Sequence, residues 1–341
     1  MKIALLTLAG HEFKGGVEKF NSMLMDAVGK KHEVELIAYR DLVKKSFVSN
    51  VFDKTPYSGY YKAKEMAKKF KTREDEFDLV IANDFFGTYV KKPKIVVFHG
   101  YYGDIFDCMH DRITLWYWLW GQELGRVQRL ALKNSDVVVT PSQRNFDYLK
   151  ARKLKVDKMI SHGIDTEFYK NDLNAMKKLA SFDLPKEFLL SVGTRAPWKN
   201  IDAIEAISQD YNSVVISGNE KSGKIKFLSG IDEKLMPAFY SASKLLFHPS
   251  LHEGFGYVIG EAMSCGVPAV YSKVGFGTEL AKEIPELIVE NPRDYLEVKR
   301  VIENTLDNRA ELSRRSRQYV ETHFNLVGWG KKWLDVIGDF E

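Results

Sequence analysis

Two glutamates with seven residues between them, Glu253 and Glu261, bracket the glycines Gly254 and Gly256 in the stretch FHPSLHEGFGYVIGEAMSCGVPA. The apolar run ending at Phe247 reads as a strand and the glycines as a tight loop. YVIGEAMSC reads as a helix that stops at Gly266, before Pro268. Strand, glycine loop and helix N-terminus make an anion site, because unpaired backbone N–H groups and the positive end of the helix dipole point at the ligand. Glycine has no Cβ, so the backbone can approach closely. Beyond Phe255, the N–H groups of Gly256, Tyr257 and Val258 are the ones placed for a phosphate. A carboxylate repels phosphate. Its chemistry beside one is to accept hydrogen bonds from sugar hydroxyls, as an acid does for a ribose after a dinucleotide-binding turn. Either glutamate alone would read as a solvated charge; with HPS, GFG and G-x-P around them they read as a site.

The same plan recurs in FLLSVGTRAPWKNIDAIEAI, where Gly193, Arg195 and Lys199 fall in the loop between strand and helix. Two cations at a helix N-terminus suit a diphosphate, Arg195 through two parallel hydrogen bonds and Lys199 as a point charge. Both would stabilise negative charge developing on a leaving diphosphate. A pair of plain surface cations is the alternative. Earlier, DLVIAND and KIVVFHG are short apolar strands of the parallel-sheet kind, with Asn83, Asp84, His99 and Gly100 at their C-terminal ends. Ligands gather at such ends. His99 is the best site candidate of this half, although a single His after a strand is more often structural. Gly15 and Gly16 precede an amphipathic helix carrying Phe20, Met23, Leu24 and Val28 along one face. The G-x-G-x-x-G of nicotinamide enzymes is absent there, which argues against an oxidoreductase. No D-x-D pair occurs in the chain, so the diphosphate is expected to be held without a metal.

The elements that must position these residues fit two domains better than one at 341 residues, enough chain to bury large cores. Hydrophobic residues at 45% and charged residues at 28% are ordinary for soluble protein. The apolar runs are strand-sized, so no membrane-spanning helix is expected. MKIALLTLAG leads into a first strand and does not read as a signal peptide. Cys108 and Cys265 are too few for a disulfide framework or a zinc site, and a reducing, cytoplasmic setting is expected.

Residues 1–160 have 28 Lys and Arg against 20 Asp and Glu, a balance of +8; residues 161–341 have 22 against 26, a balance of −4. The basic half suits an acidic partner such as the inner face of a membrane, a lipid phosphate or an anionic glycan. Surface lysines that vary freely explain it equally well. YKAKEMAKKFKTRED is a lysine-rich helix with Met66 and Phe70 on its inner side, and a solvated surface helix is its plainer reading. Lys44–Tyr61 shows no period and is expected to be loop or irregular strand. Trp116, Trp118 and Trp120 fall at every second position and cannot share one helix face. Some of these rings are expected to be exposed, packed on a partner, or set in a membrane interface, with a core helix packed on both sides as the alternative. SVVISGNEKSGKIKFLSGID reads as two strands ended by Gly218 and Gly230 with only a short connection. The last helices are expected over Pro292–His323 and Leu326–Ile337, with Trp329 and Trp333 on a shared face.

HEGFGYVIGEAMSCGVPAV resembles the E-x7-E segment of the retaining glycosyltransferase family numbered four. GGVEKF, FHG, SDVVVTPSQRNFDYLK, KMISHGIDTEFYK and the Arg195–Lys199 loop resemble other family segments in the same order. In two places the chain departs from the family pattern: His162 stands where Asn is common, and Thr194 intervenes before Arg195. The resemblance implies an α/β protein of GT-B fold, two Rossmann-like parallel-sheet domains facing each other across a cleft. It places an acceptor-side domain at 1–160, a nucleotide-sugar domain at 161–323 with a hinge within 155–170, and a helix at 324–341 that crosses back onto the first domain. It further implies a nucleoside-diphosphate sugar donor, UDP or GDP, and transfer with retention to an acceptor hydroxyl on a glycan or a lipid-linked chain, with no cofactor and no nucleic acid. Glu253 and His99 would touch the donor sugar, Glu261 the ribose, and Gly15 and Gly16 would close over the phosphates; Glu279 would lie near the donor. A nucleotide-sugar epimerase of the same fold, or a non-catalytic partner of another transferase, are the alternatives.

Overall fold

A computed structural model of the chain describes residues 1–10, 15–44, 46–109, 111, 113–193, 196–217 and 225–341. These residues form two compact units, Met1–His162 with Val327–Glu341, and Gly163–Leu326.

The first unit is built on β1 (Lys2–Thr7), β2 (Glu33–Ala38), β3 (Leu79–Asn83), β4 (Lys94–Val97), β5 (Val137–Thr140) and β6 (Lys158–Met159), all parallel, in the order β2-β1-β3-β4-β5-β6. β1, β3 and β4 are short apolar runs because both faces are covered. The helix Gly16–Val28 buries Phe20, Leu24 and Val28, while Met23 is only half-buried and the polar Asn21 goes inside in its stead. The helix Ser58–Phe70 buries Ala63, Met66 and Phe70 and leaves Lys64, Lys68 and Lys69 outside. Lys44–Tyr61 is a correction: it is helical over Phe47–Phe52 and again from Ser58. Ser46 and Ser49 form a reciprocal cap on the first of these, and Phe52 stacks on Tyr61 at 4.7 Å. Phe47, Val51 and Phe52 are exposed, and among the described side chains of this helix only Ser49 is buried, so the sequence offers no apolar stripe there. Trp329 and Trp333, on the helix Leu326–Gly338, are buried against Phe20 with ring centroids at 6.0 and 5.6 Å.

The second unit carries β7 (Leu189–Val192), β8 (Ser213–Ile216), β9 (Ile225–Leu228), β10 (Leu245–His248), β11 (Ala269–Ser272) and β12 (Ile288–Val289), again all parallel, in the order β12-β11-β10-β7-β8-β9. Strand order reverses between β7 and β10, so the loops after these two strands diverge and leave a crevice at their C-terminal ends. One apolar cluster, including Leu190, Leu246, Phe255, Ile259 and Phe276, fills one face of the sheet, and a second, including Leu189, Phe247 and Val270, fills the other. The stretch after Pro292 is two helices, Tyr295–Asp307 and Arg309–His323, separated at Asn308. Asp294 caps the first by accepting from the N–H groups of Leu296 and Glu297. Gly230 has a left-handed backbone just past β9; Gly218 lies outside the described residues.

Candidate functional site

Both loops at the reversal point of the second sheet carry the residues singled out by type. After β7, Lys199 ends a short turn of 3-10 helix begun by Pro197, and its side chain lies across Gly193. Arg195 and Thr194 lie outside the described residues. After β10 the chain reaches Glu253, whose carboxylate meets the Lys199 ammonium at 2.5 Å and the His248 ring nitrogen Nε2 at 2.6 Å. Ser250 Oγ lies 2.9 Å from the same nitrogen. The loops are tied together by the Leu251 N–H, which donates to the Trp198 carbonyl at 2.7 Å. Burial pushes the Glu253 carboxyl up, but the Lys199 ammonium and the His248 ring together outweigh it and hold the group well below the usual carboxylate range. Burial lowers His248, so it donates to Glu253 as a neutral imidazole through Nε2–H.

Gly256 caps the helix Tyr257–Ser264 in a left-handed conformation (φ 109°), a backbone geometry that favours glycine. Phe255 is buried against Phe276 and Phe324 and anchors the loop from below. Gly254 stands between the Glu253 ion pair and that anchor, and Tyr257 and Val258, in the first turn, are partly buried. Glu261, one turn on, is only 4% exposed, and one carboxylate oxygen accepts from the Tyr240 hydroxyl at 2.7 Å. Burial and the Glu261 charge raise Tyr240 far above its ordinary range, so that hydroxyl stays a donor. Glu279 sits in the first turn of the helix Gly277–Glu283. A small cavity lined by Gly193, Lys199, Ser217, His248 and Pro249 opens at the ends of β7, β8 and β10.

The first unit has its own polar cluster at the point where its strand order reverses, beside β1 and β3. His99 Nε2 lies 2.6 Å from Asn83 Oδ1, Asn83 Nδ2 donates to Asn21 at 2.8 Å, and Asn21 donates to Thr7 at 3.1 Å. Burial lowers His99 to about 3. Asp84, in a left-handed conformation, is raised to about 7 by burial, against hydrogen bonds from the His99 backbone and Gln128. Gly15 and Gly16 open the helix Gly16–Val28, while residues 11–14 of the preceding loop lie outside the described set.

Reading by residue type missed His248, Tyr240 and Asn21. His248 carried a signal, a titratable ring at the end of a strand five residues before Glu253. Tyr240 and Asn21 lie on helices and show their role only through packing.

Residues 174–323 match the family model for glycosyl transferases group 1, and residues 14–168 match the model for glycosyltransferase family 4. The chain is 28% identical over 183 residues to the serotype-specific mannosyltransferase WbdA of Escherichia coli, a match covering 44% of this chain and 22% of that protein. Its fold superposes on sucrose-phosphate synthase (tll1590) from Thermosynechococcus elongatus with a TM-score of 0.80, at 19% identity over 99% of this chain and 98% of that one. It also superposes on Anabaena Alr3699/HepE in complex with UDP-glucose at 0.76, with 19% identity over 99% and 100% of the two chains. Each unit thus matches its own glycosyltransferase family model, family 4 on the first and group 1 on the second, each over a little under half of the chain, and the chain has the two-domain α/β GT-B fold of glycosyltransferases.

Proposed function

We propose that the chain transfers a sugar from a nucleoside-diphosphate donor to an acceptor hydroxyl, with retention at the anomeric carbon and without a metal. The Lys199–Glu253 pair beside the Gly256 helix start carries this reading, since it joins a phosphate-binding cation to a hydroxyl-binding acid at the sheet's reversal point. The second unit takes the donor and the first the acceptor, a glycan or lipid-linked chain.

Lys199 and the N–H groups of residues 256–258 hold the diphosphate. They stabilise it as the bond between the anomeric carbon and the phosphate oxygen breaks. The acceptor oxygen adds to the same face of the sugar, and its proton passes to the departing phosphate oxygen. Glu253 and His99 accept from hydroxyls of the donor sugar, and Glu261 from the ribose. Retention is supported by family likeness; metal independence is supported by the missing D-x-D and by a cation already in place.

A thermal-shift panel of UDP, GDP, ADP and their sugar derivatives tests the donor. Mannose and glucose come first, after the names of the relative and the bound ligand of HepE. The expected result is a rise in Tm with one nucleotide family, lost in Lys199→Ala. No shift with any member overturns the reading. Transfer should persist in EDTA; if EDTA abolishes it and Mg²⁺ or Mn²⁺ restores it, metal independence fails. Isomerised sugar from donor alone would make the protein an epimerase.

A further inference from the structure

The helix Leu115–Lys133 begins with five consecutive bulky apolar residues, Leu115–Leu119, all of them exposed; Leu115 is 73% and Trp116 52% accessible. The start is ordered, since the Thr114 side chain accepts from the Tyr117 N–H. Trp120, the next residue, turns inward and donates from Nε1 to Ser58 Oγ at 3.3 Å, which fixes this helix end beside the start of the helix Ser58–Phe70. One turn along, Tyr61 stacks on Phe52 of the helix Phe47–Phe52, where Phe47 is 83% accessible, and Tyr57 between the two helices is exposed as well. The first turn of the helix Ser58–Phe70 therefore joins the exposed apolar end of Leu115–Lys133 on one side to the exposed helix Phe47–Phe52 on the other. Contiguous exposed apolar surface of this kind marks an interaction site.

The segment beside it is strongly basic. Between residues 44 and 71 the sequence has eight lysines, no arginine and two acids, Asp53 and Glu65. Asp53 is paired with Lys62 at 2.9 Å, and Lys64, Lys68 and Lys69 are exposed along the same helix. Five successive residues of a helix point to every side of it. A protein partner covers one face of a helix, whereas the soft interface of a bilayer can surround its end. Trp and Tyr favour that interface, and lysines favour anionic headgroups. Among the described residues no helix is long and apolar enough to cross a membrane, so the contact lies in the interface plane.

We propose that this surface docks on an anionic lipid bilayer, the aromatic end of Leu115–Lys133 entering the interface and the lysines of Ser58–Phe70 resting on lipid phosphates. The contact needs neither donor nor acceptor, so it stands or falls apart from the transfer reaction. The full chain is sedimented with vesicles of phosphatidylcholine, and of phosphatidylcholine mixed with phosphatidylglycerol. Wild type should pellet with the mixed vesicles, less so at high salt, with a blue shift in Trp emission. Lys64→Gln, Lys68→Gln and Lys69→Gln together should lower the partition coefficient about a hundredfold, roughly fivefold per lysine. Trp116→Gln with Trp118→Gln should lower it at least about tenfold by removing apolar contact. Both sets lie at the surface, and circular dichroism melts check their folding. Should the Trp variant unfold, the Lys variant and the salt series decide alone. The proposal is overturned if wild type stays in the supernatant with mixed vesicles, or if a folded Trp variant pellets as well as wild type. It is equally overturned by a dimer in analytical ultracentrifugation that the Trp variant dissolves, because a second copy would then cover the surface.

Discussion

Lys199 and Glu253 are both mostly buried, and each is the charge that makes the other's burial tolerable. Removing one member of such a pair strands the other in low dielectric. Lys199→Ala is therefore expected to cost about 3 kcal/mol of stability. Glu253→Gln added to it should recover part of that loss, because the stranded carboxylate is gone. Urea denaturation of wild type, both single variants and the double closes the cycle; strictly additive losses would show that the two groups are uncoupled. A similar deduction sets the tautomer of His99. Asn83 Nδ2 donates to the Leu6 carbonyl at 3.3 Å and to Asn21, so its Oδ1 is the acceptor facing His99 Nε2. His99 must carry its proton on Nε2, leaving Nδ1 to accept a hydrogen bond. Its folded pKa is depressed, so the neutral ring adds stability above the unfolded value and loses it as pH falls through that value toward about 3. Nitrogen-15 spectra should show one tautomer with no titration between roughly pH 5 and 8, and Asn83→Ala should mix the tautomers and cost about 1–2 kcal/mol. A His99 midpoint in the ordinary histidine range would sink this assignment. Glu253, Lys199 and His99 were legible in the sequence because each follows a strand that reads as buried on both faces. Asn21 was not, because it sits 62 residues from Asn83 on a helix face that spacing assigned to apolar packing.

Elements were legible where burial imposed a period. The strands stand out as apolar runs, and the glycine loop stands out because its backbone is special. What spacing could not show is how that loop is propped. The Phe276 N–H donates to the Phe255 carbonyl at 3.0 Å, and Gly275, just before it, is left-handed (φ 56°). A Cβ on Gly275 would lie 2.0 Å from the Phe255 carbonyl oxygen and 3.3 Å from Glu253 Cβ. A Cβ on Gly266, also left-handed, would meet open space. Gly266→Ala should therefore cost only the backbone term of about 1 kcal/mol. Gly275→Ala should cost at least about 3 kcal/mol, since clash and strain add. It should also weaken donor binding by displacing Glu253, an effect Gly266→Ala should not have. Equal denaturation midpoints for the two variants would mean that the turn does not prop the loop. The helix Phe47–Phe52 shows the opposite limit: its aromatic residues are exposed and, among its described side chains, only Ser49 is buried, which gives no apolar period to read.

Across the whole molecule, the chain's last stretch completes its first unit. Trp329 and Trp333 share a face by spacing alone, but spacing does not say which core that face enters. Packing does: Trp333 is fully buried on Phe20, whose ring also lies 5.0 Å from both His99 and His162, so the terminal helix backs the polar cluster at the ends of β3 and β4. Gly330 lets the helix approach closely, since a Cβ there would lie 3.1 Å from Ala27. Trp333→Ala should cost about 3–5 kcal/mol through lost contact and the cavity left behind. Its indole N–H is buried with no hydrogen-bond partner among the described residues, so Trp333→Phe removes an unsatisfied donor along with some contact and should cost clearly less. Hydrogen exchange locates the damage. In Trp333→Ala, protection should fall first in Gly16–Val28, some three hundred residues away in sequence, and not in Tyr257–Ser264. The Nε2 tautomer of His99 should loosen with it, because the ring holding His99 in place has lost its support. Unchanged exchange across Gly16–Val28 in a folded Trp333→Ala protein would show that the first unit does not depend on the terminal helix.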